Sequence, residues 1–264
     1  MNYTPVIGLE IHCELLTKSK VFCACENSFG GRENTRVCPR CLGFPGPLPV
    51  LNKNAVRLAV KAGLALDCKI NNYSAFDRKN YFYPDLPKAY QITQFFTPIC
   101  ENGSVTLENG KTIHINRIHI EGDAGKLVHD EESKMSFADY NRCGVPLIEI
   151  VTGPDFRSAE EVADFVRQVA LRLKYAKVCD ARMEQGSIRV DVNISVMPEG
   201  AAEFGTRAEI KNLNSLKAIA HAIEYETSRQ SKILSGGGSV TQETRRFDDN
   251  TGITVSMQIG RAHV

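Results

Sequence analysis

Residues 187–196 alternate without a break, with Ser187, Arg189, Asp191, Asn193 and Ser195 on one side and Ile188, Val190, Val192, Ile194 and Val196 on the other. A side-chain period of two over ten residues describes a β-strand with one buried face and one open face. Such a strand needs partners with a matching apolar face, and the chain supplies them. In residues 4–15, Ile7, Leu9, Ile11, Cys13 and Leu15 oppose Glu10, His12 and Glu14. Arg117, His119 and Glu121 alternate with Ile118 and Ile120, and Glu149 sits between Ile148 and Ile150. A shorter run carries Arg207, Glu209 and Lys211.

Three helices are expected around these strands. Asn52 can cap the first, with Val56, Val60 and Leu64 on one stripe. Ser158 and Glu161 form a capping box ahead of Val162, Phe165, Val166, Val169 and Leu173. The third runs from about Ser215 through Leu216, Ile219 and Ile223 to Gly236-Gly237-Gly238, a helix C-terminal loop. No repeat or low-complexity linker interrupts the pattern. The expected class is therefore α+β, one domain on a largely antiparallel sheet with flanking helices.

Folding the strands side by side would put Glu10, His12, Glu121, Glu149, Asp191 and Glu209 on one surface. Like charges so gathered repel unless cations intervene, and Mg²⁺ takes carboxylate oxygens while keeping positions for water and phosphate. Arg117, Arg189, Arg207, Arg245 and Arg246 offer planar donors suited to phosphate. A solvated face with ordinary cross-strand ion pairs would share this pattern. No P-loop and no dinucleotide fingerprint occurs, so any ATP is bound another way.

The net charge of +1 over 264 residues gives no global field for a polyanion, so nucleic acid would have to meet a local basic patch. No apolar run approaches the roughly 18 residues of a membrane span, and the N-terminus has no signal-peptide core. A cytoplasmic protein without membrane contact is expected. Of nine cysteines, Cys23, Cys25, Cys38 and Cys41 cluster as Cys-x-Cys, twelve residues, Cys-Pro-Arg-Cys. Two close thiolate pairs across a loop predict a closed, structural Cys₄ zinc site in a small insertion at about 20–45. Cys13, Cys68, Cys100, Cys143 and Cys179 lie in apolar stretches and are expected to be buried thiols. The aromatic, proline-broken stretch 77–91 matches no regular element and is expected to be a functional loop. In Gly122-Asp123-Ala124-Gly125-Lys126, backbone N–H groups and Lys126 could approach phosphate.

Several of these segments together resemble the B subunit of the aspartyl/glutamyl-tRNA amidotransferases. They are Val6 to His12, residues 77–91, Glu121 to Lys126, Pro146 to Glu149, Glu184 to Asn193, Glu209 to Ser215 and Gln242 to Asp248. The resemblance covers residues 4 to about 257. It implies a cradle-shaped catalytic domain at 1–257 with a glutamine-synthetase-like fold. It also implies a ligase reaction in two steps: ATP phosphorylates the Glu or Asp side chain on misacylated Glu-tRNA(Gln) or Asp-tRNA(Asn), and ammonia then displaces phosphate. The ammonia would come from an amidase (the glutaminase, or A, subunit). A small third (C) subunit would join the two in a heterotrimer, and the acceptor end of the tRNA would be bound.

By motif match, the resemblance assigns Mg²⁺ binding to Glu10, His12, Glu121, Glu149, Asp191 and Glu209. It makes Arg189, Arg245 and Arg246 phosphate or transition-state candidates, with Arg207 and Lys126 as further nucleotide-site cations. Lys79 and Lys88 are expected to line the ammonia entry. Zinc is implied as a scaffold element, since the cysteines are not shared across the whole family. Residues 258–264 do not resemble the family's continuation and are expected to be a non-native tail, with the helical and tail domains absent. Two other readings stay open on the residues alone, a glutamine-synthetase-like ligase on a free amino acid and a non-catalytic, zinc-stabilised RNA-binding module.

Overall fold

The computed structural model describes residues 2–257 except 131 and 202; the tail expected at 258–264 lies outside the described residues. Strands are numbered along the chain. Nine of them form one sheet, in the order β13 (Ile253–Ser256), β12 (Glu243–Asp248), β11 (Ala208–Leu213), β10 (Ile188–Pro198), β1 (Tyr3–Glu14), β9 (Pro146–Thr152), β6 (Thr112–Gly122), β5 (Cys100–Thr106) and β2 (Lys69–Ile70). The two strands with the clearest alternation, β1 and β10, pair over eleven residues at its centre. All pairings are antiparallel except β11 with β12. A parallel neighbour needs a long crossover, and α3 (Leu216–Ser235) provides it.

The apolar face of the sheet carries the core. Ile7, Leu9, Ile11, Cys13, Ile118, Ile120, Ile148, Ile150 and the aliphatic set of β10 are all buried there against α1 (Lys53–Ala65), α2 (Ala159–Tyr175) and α3. The α2 stripe is as expected, and Ser158 Oγ accepts from the Glu161 N–H. Ser215 caps α3 in the same way. Helix α1 is capped by Asn52, but its buried side is Ala55, Ala59, Ala62 and Gly63 rather than Val56, Val60 and Leu64. The reason is close approach: a Cβ on Gly63 would collide with Cys100 Sγ and lie 2.8 Å from Ile70. Small residues let the helix sit nearly on the strands, and Leu64 is left 63% exposed.

Two hairpins stand outside the sheet. The ends of the 77–91 stretch pair as β3 (Asp77–Asn80) and β4 (Tyr90–Thr93), so only its tip is irregular. β7 (Lys126–Asp130) pairs with β8 (Met135–Asp139). The five scattered cysteines are buried as expected. Among the described residues no helix is long and apolar enough to cross a membrane.

Candidate functional site

Register builds the site. On the polar face, His12 of β1 lies between Arg189 of β10 and Glu149 of β9, and Glu149 in turn lies beside His119 of β6. The row on one side of His12 places Asp191 beside Glu10, and the row on the other side places Glu14 and Glu121 on either side of Leu147. A period-two sheet thus turns residues distant in sequence into a lattice of adjacent donors.

The six residues assigned to metal by motif divide into two groups. In the first, ligand atoms of His12, Glu121 and Glu149 all lie within 4.8 Å of one another. His12 Nε2 is 3.4 Å from Glu149 Oε2 and 3.6 Å from Glu121. His119, visible in the alternation but not singled out there, faces the same two carboxylates at 3.4 and 3.7 Å. Its Nδ1 is buried without a hydrogen-bond partner. Burial opposes charge on each imidazole, yet hydrogen bonds to the carboxylates overcome it and push both histidines up to about 9. Glu149 is buried too, and the two histidines hold it well below the usual carboxylate range.

The second group is Glu10, Asp191 and Glu209, again within 4.8 Å. Lys211 Nζ sits 2.8 Å from both Asp191 and Glu209, Asn193 donates to Glu10 at 3.0 Å, and Thr244 donates to Glu209 at 2.9 Å. A bulge in β11 opposite Val190–Val192, with Asn212 at φ 68°, brings Lys211 into this position. Among the described residues Glu10 has no ion-pair partner; burial, then the charge of Glu149, pushes its carboxyl up. Beside this face Glu14 is pushed up to about 7, chiefly by burial and then by Asp123.

The basic residues scatter more than the sequence suggests. Arg189 faces the site but is held by Asp123 at 2.9 Å, with Arg142 3.4 Å from the same oxygen. Arg246 is exposed opposite Lys211, on the polar face, whereas Arg207 is exposed and precedes β11. Arg245 points the other way. Its guanidinium is buried on the helix side, donating to Thr254 and Glu243 and lying 3.5 Å from Glu226, so its donors are spent on packing. The glycine loop also departs from expectation. The N–H groups of Asp123, Ala124 and Gly125 are bound by Val145 O, Asp123 Oδ1 and Asp85 O, so these three are not free to cradle phosphate, and Lys126 is exposed on β7. Lys79 is exposed on β3. Lys88 instead packs on the cysteine module, where its Cγ is 2.5 Å from the place a Cβ of Gly43 would occupy.

In that module the four thiols of Cys23, Cys25, Cys38 and Cys41 lie within 4.8 Å of one another. Cys41 Sγ accepts from the Cys38 N–H, an arrangement that favours thiolate. Hydrogen bonding to Cys23 holds the Cys41 thiol down at about 4. Four sulfur donors and no oxygen donor fit a tetrahedral zinc ion. The front-face groups, all oxygen and imidazole, fit a hard or borderline divalent ion such as Mg²⁺ or Mn²⁺.

A mixed sheet with carboxylates, imidazoles and basic side chains on its polar face, and helices covering the other, defines an α+β protein with donor groups that could hold divalent ions. The chain belongs to the GatB/GatE catalytic domain family, which it matches over residues 5–262. It is 62% identical over 96% of its length to the aspartyl/glutamyl-tRNA(Asn/Gln) amidotransferase B subunit of Ruminiclostridium cellulolyticum. To the proteins of the same description from Caldicellulosiruptor bescii and Thermoanaerobacter pseudethanolicus it is 59% and 57% identical, each over 98% of its length. It covers 53%, 54% and 55% of those three proteins, so the chain spans about half the length of the curated relatives it matches.

Proposed function

We propose that this chain carries the centre that activates and amidates the side-chain carboxylate of Glu or Asp on misacylated tRNA, using ATP. The observation that carries the reading is the convergence of His12, His119, Glu121 and Glu149 beside Glu10, Asp191 and Glu209 on one open face. Transfer of a phosphoryl group to a carboxylate forces two anions together, and positioning and charge compensation supply most of the catalysis. His12, Glu121 and Glu149 would hold one Mg²⁺, with Glu10, Asp191 and Glu209 the place for a second. The bound ion would polarise phosphoryl oxygens and screen their charge.

The chain's own residues do the rest. Lys211 and Arg246, neighbours on the polar face, would supply cations to an incoming phosphate, as would Arg189 on release from Asp123. A carboxylate oxygen of the aminoacyl group attacks the γ-phosphorus, the bond to ADP breaks, and an acyl phosphate results. Ammonia attacks its carbonyl carbon, phosphate leaves, and the amide of Gln-tRNA or Asn-tRNA remains. The names of the relatives describe one subunit of several; on this reading the ammonia is delivered by a separate glutaminase, assembled with this chain and a small third protein in the cytoplasm. The cysteine module would hold zinc as scaffold, since a Cys₄ site has no open position for substrate.

The test is ADP release by the protein assembled with its partners, with Mg²⁺ and ammonium chloride, with and without misacylated Glu-tRNA. Release that requires the charged tRNA and disappears in Glu149→Ala supports the reading. Release indifferent to tRNA but stimulated by free glutamate would favour a ligase acting on a free amino acid.

A further inference from the structure

Lys20 is one of the largest fully buried side chains among the described residues, with 0% of its surface exposed. Its Nζ donates to the Tyr140 carbonyl at 3.3 Å and faces Cys41 Sγ at 3.8 Å. Neither partner is a carboxylate, and an ammonium buried without a counter-charge is strongly unfavourable. The nearest source of negative charge is the cysteine module. Four thiolates around one Zn²⁺ leave two net negative charges, and Cys23 and Cys41 are themselves buried. Each half of the problem supplies what the other lacks.

We infer that Lys20 is a working part of the zinc site, its ammonium donating an N–H···S hydrogen bond to Cys41 and offsetting one of the two excess negative charges of the zinc tetrathiolate. This rests on the zinc reading above. The main chain of Lys20 makes the same connection, since its N–H donates to Cys25 O at 3.0 Å. One residue therefore touches both halves of the Cys-x-Cys…Cys-x-x-Cys ligand set. Through Tyr140, which follows β8, it also ties the module to the hairpin beside the sheet. Groups that hydrogen-bond to metal ligands fix ligand orientation and tune the metal. Here the donor is charged, so it favours the dianionic complex over the metal-free thiols. Lys20 is a positioning residue and touches no substrate.

The experiment compares the wild-type protein with Lys20→Met, which removes the charge at similar volume, and Lys20→Arg, which keeps it. Zinc content is measured on each, zinc affinity by competition with a chelator, and the ligand-field site by cobalt substitution. Lys20→Met should lose about 10–100-fold in zinc affinity. Its thiolate-to-cobalt charge-transfer band should move to longer wavelength, because sulfur lone pairs rise in energy without the neighbouring cation. Lys20→Arg should keep the wild-type band, which a role in packing alone would not explain. If the methionine variant does not fold, Lys20→Gln carries the same expectation. An unchanged band with zinc affinity within about twofold of wild type in the uncharged variant would overturn the inference. Wild-type protein free of zinc would overturn the zinc reading and this inference together, and the wild-type metal content alone separates that failure from the other.

Discussion

The two faces of the sheet hold charge in opposite ways. Behind it, Glu226 is fully buried and meets Arg229, Gln230, Arg245 and Thr254, while Glu243 closes the far side of both arginines. Two carboxylates there balance two guanidiniums, and almost every donor is spent. In front, Glu10, Glu14, Asp191, Glu209, Glu121 and Glu149 crowd together with Lys211, the two histidines, Arg246 and an Arg189 already held by Asp123, and Glu10 and Glu14 are pushed toward their neutral forms. A closed network fixes α3 to β12 and β13. A crowded one, with two carboxyls pushed toward neutrality, is suited to accept cations and is where the proposed function is placed.

Mutations should separate the two. The largest effect is expected on the front: losing Glu149 removes several kcal/mol of transition-state stabilisation. Glu149→Ala should thus lower tRNA-dependent ADP release by about a thousandfold, with the circular dichroism spectrum kept. Glu226→Ala should do the reverse. It strands two arginines and should cost about 3–5 kcal/mol in urea unfolding, while divalent-ion binding in the remaining folded protein is preserved.

Acid extends that contrast. Burial opposes the charge on Glu226, but the hydrogen bonds of Arg229, Gln230 and Thr254 win, and its carboxyl lies below the ordinary 4.5. A carboxyl lowered on folding contributes stability that is present above its unfolded value and lost as pH falls through the folded one. Wild-type protein should therefore lose stability below pH 4.5 more steeply than Glu226→Gln, as urea midpoints at a series of pH values would record. If the two curves run parallel, the rear network is not the charged brace described.

How much of this can be read from sequence follows from range. β1 and β10 are legible because alternation is local, and α2 and α3 because their caps and stripes are local too. The buried side of α1 is not legible, since alanine and glycine carry little hydrophobic signal and the cause is a close approach to Cys100 across the fold. Arg245 and Arg246 look alike as a pair of donors, although parity is informative: Arg245 shares its side of β12 with buried Phe247. His119 stands in the alternation, where only its pairing with β9 reveals its role. Asp123, Lys211 and Lys20 acquire their roles only through pairing with Arg189, with Asp191 and Glu209, and with Cys41, which no local pattern announces.

Smaller effects sharpen the contrast. In EDTA, Glu10→Gln should raise Tm by roughly 1–3 °C, because burial and Glu149 disfavour its charge, yet it should lower activity. A lower Tm would mean that Glu10 is already compensated. Lys126→Ala should change the KM for ATP by less than about twofold, as expected of an exposed cation far from partners. A tenfold rise would return Lys126 to the nucleotide site.

The most direct measurement is Mn²⁺ binding followed by electron paramagnetic resonance in wild-type protein, Glu149→Ala and Glu226→Gln. Binding in the wild type that weakens at least about tenfold in Glu149→Ala, and is unchanged in Glu226→Gln, is the expected result. Equal binding in wild type and Glu149→Ala would contradict the assignment of the open face as the divalent-ion site.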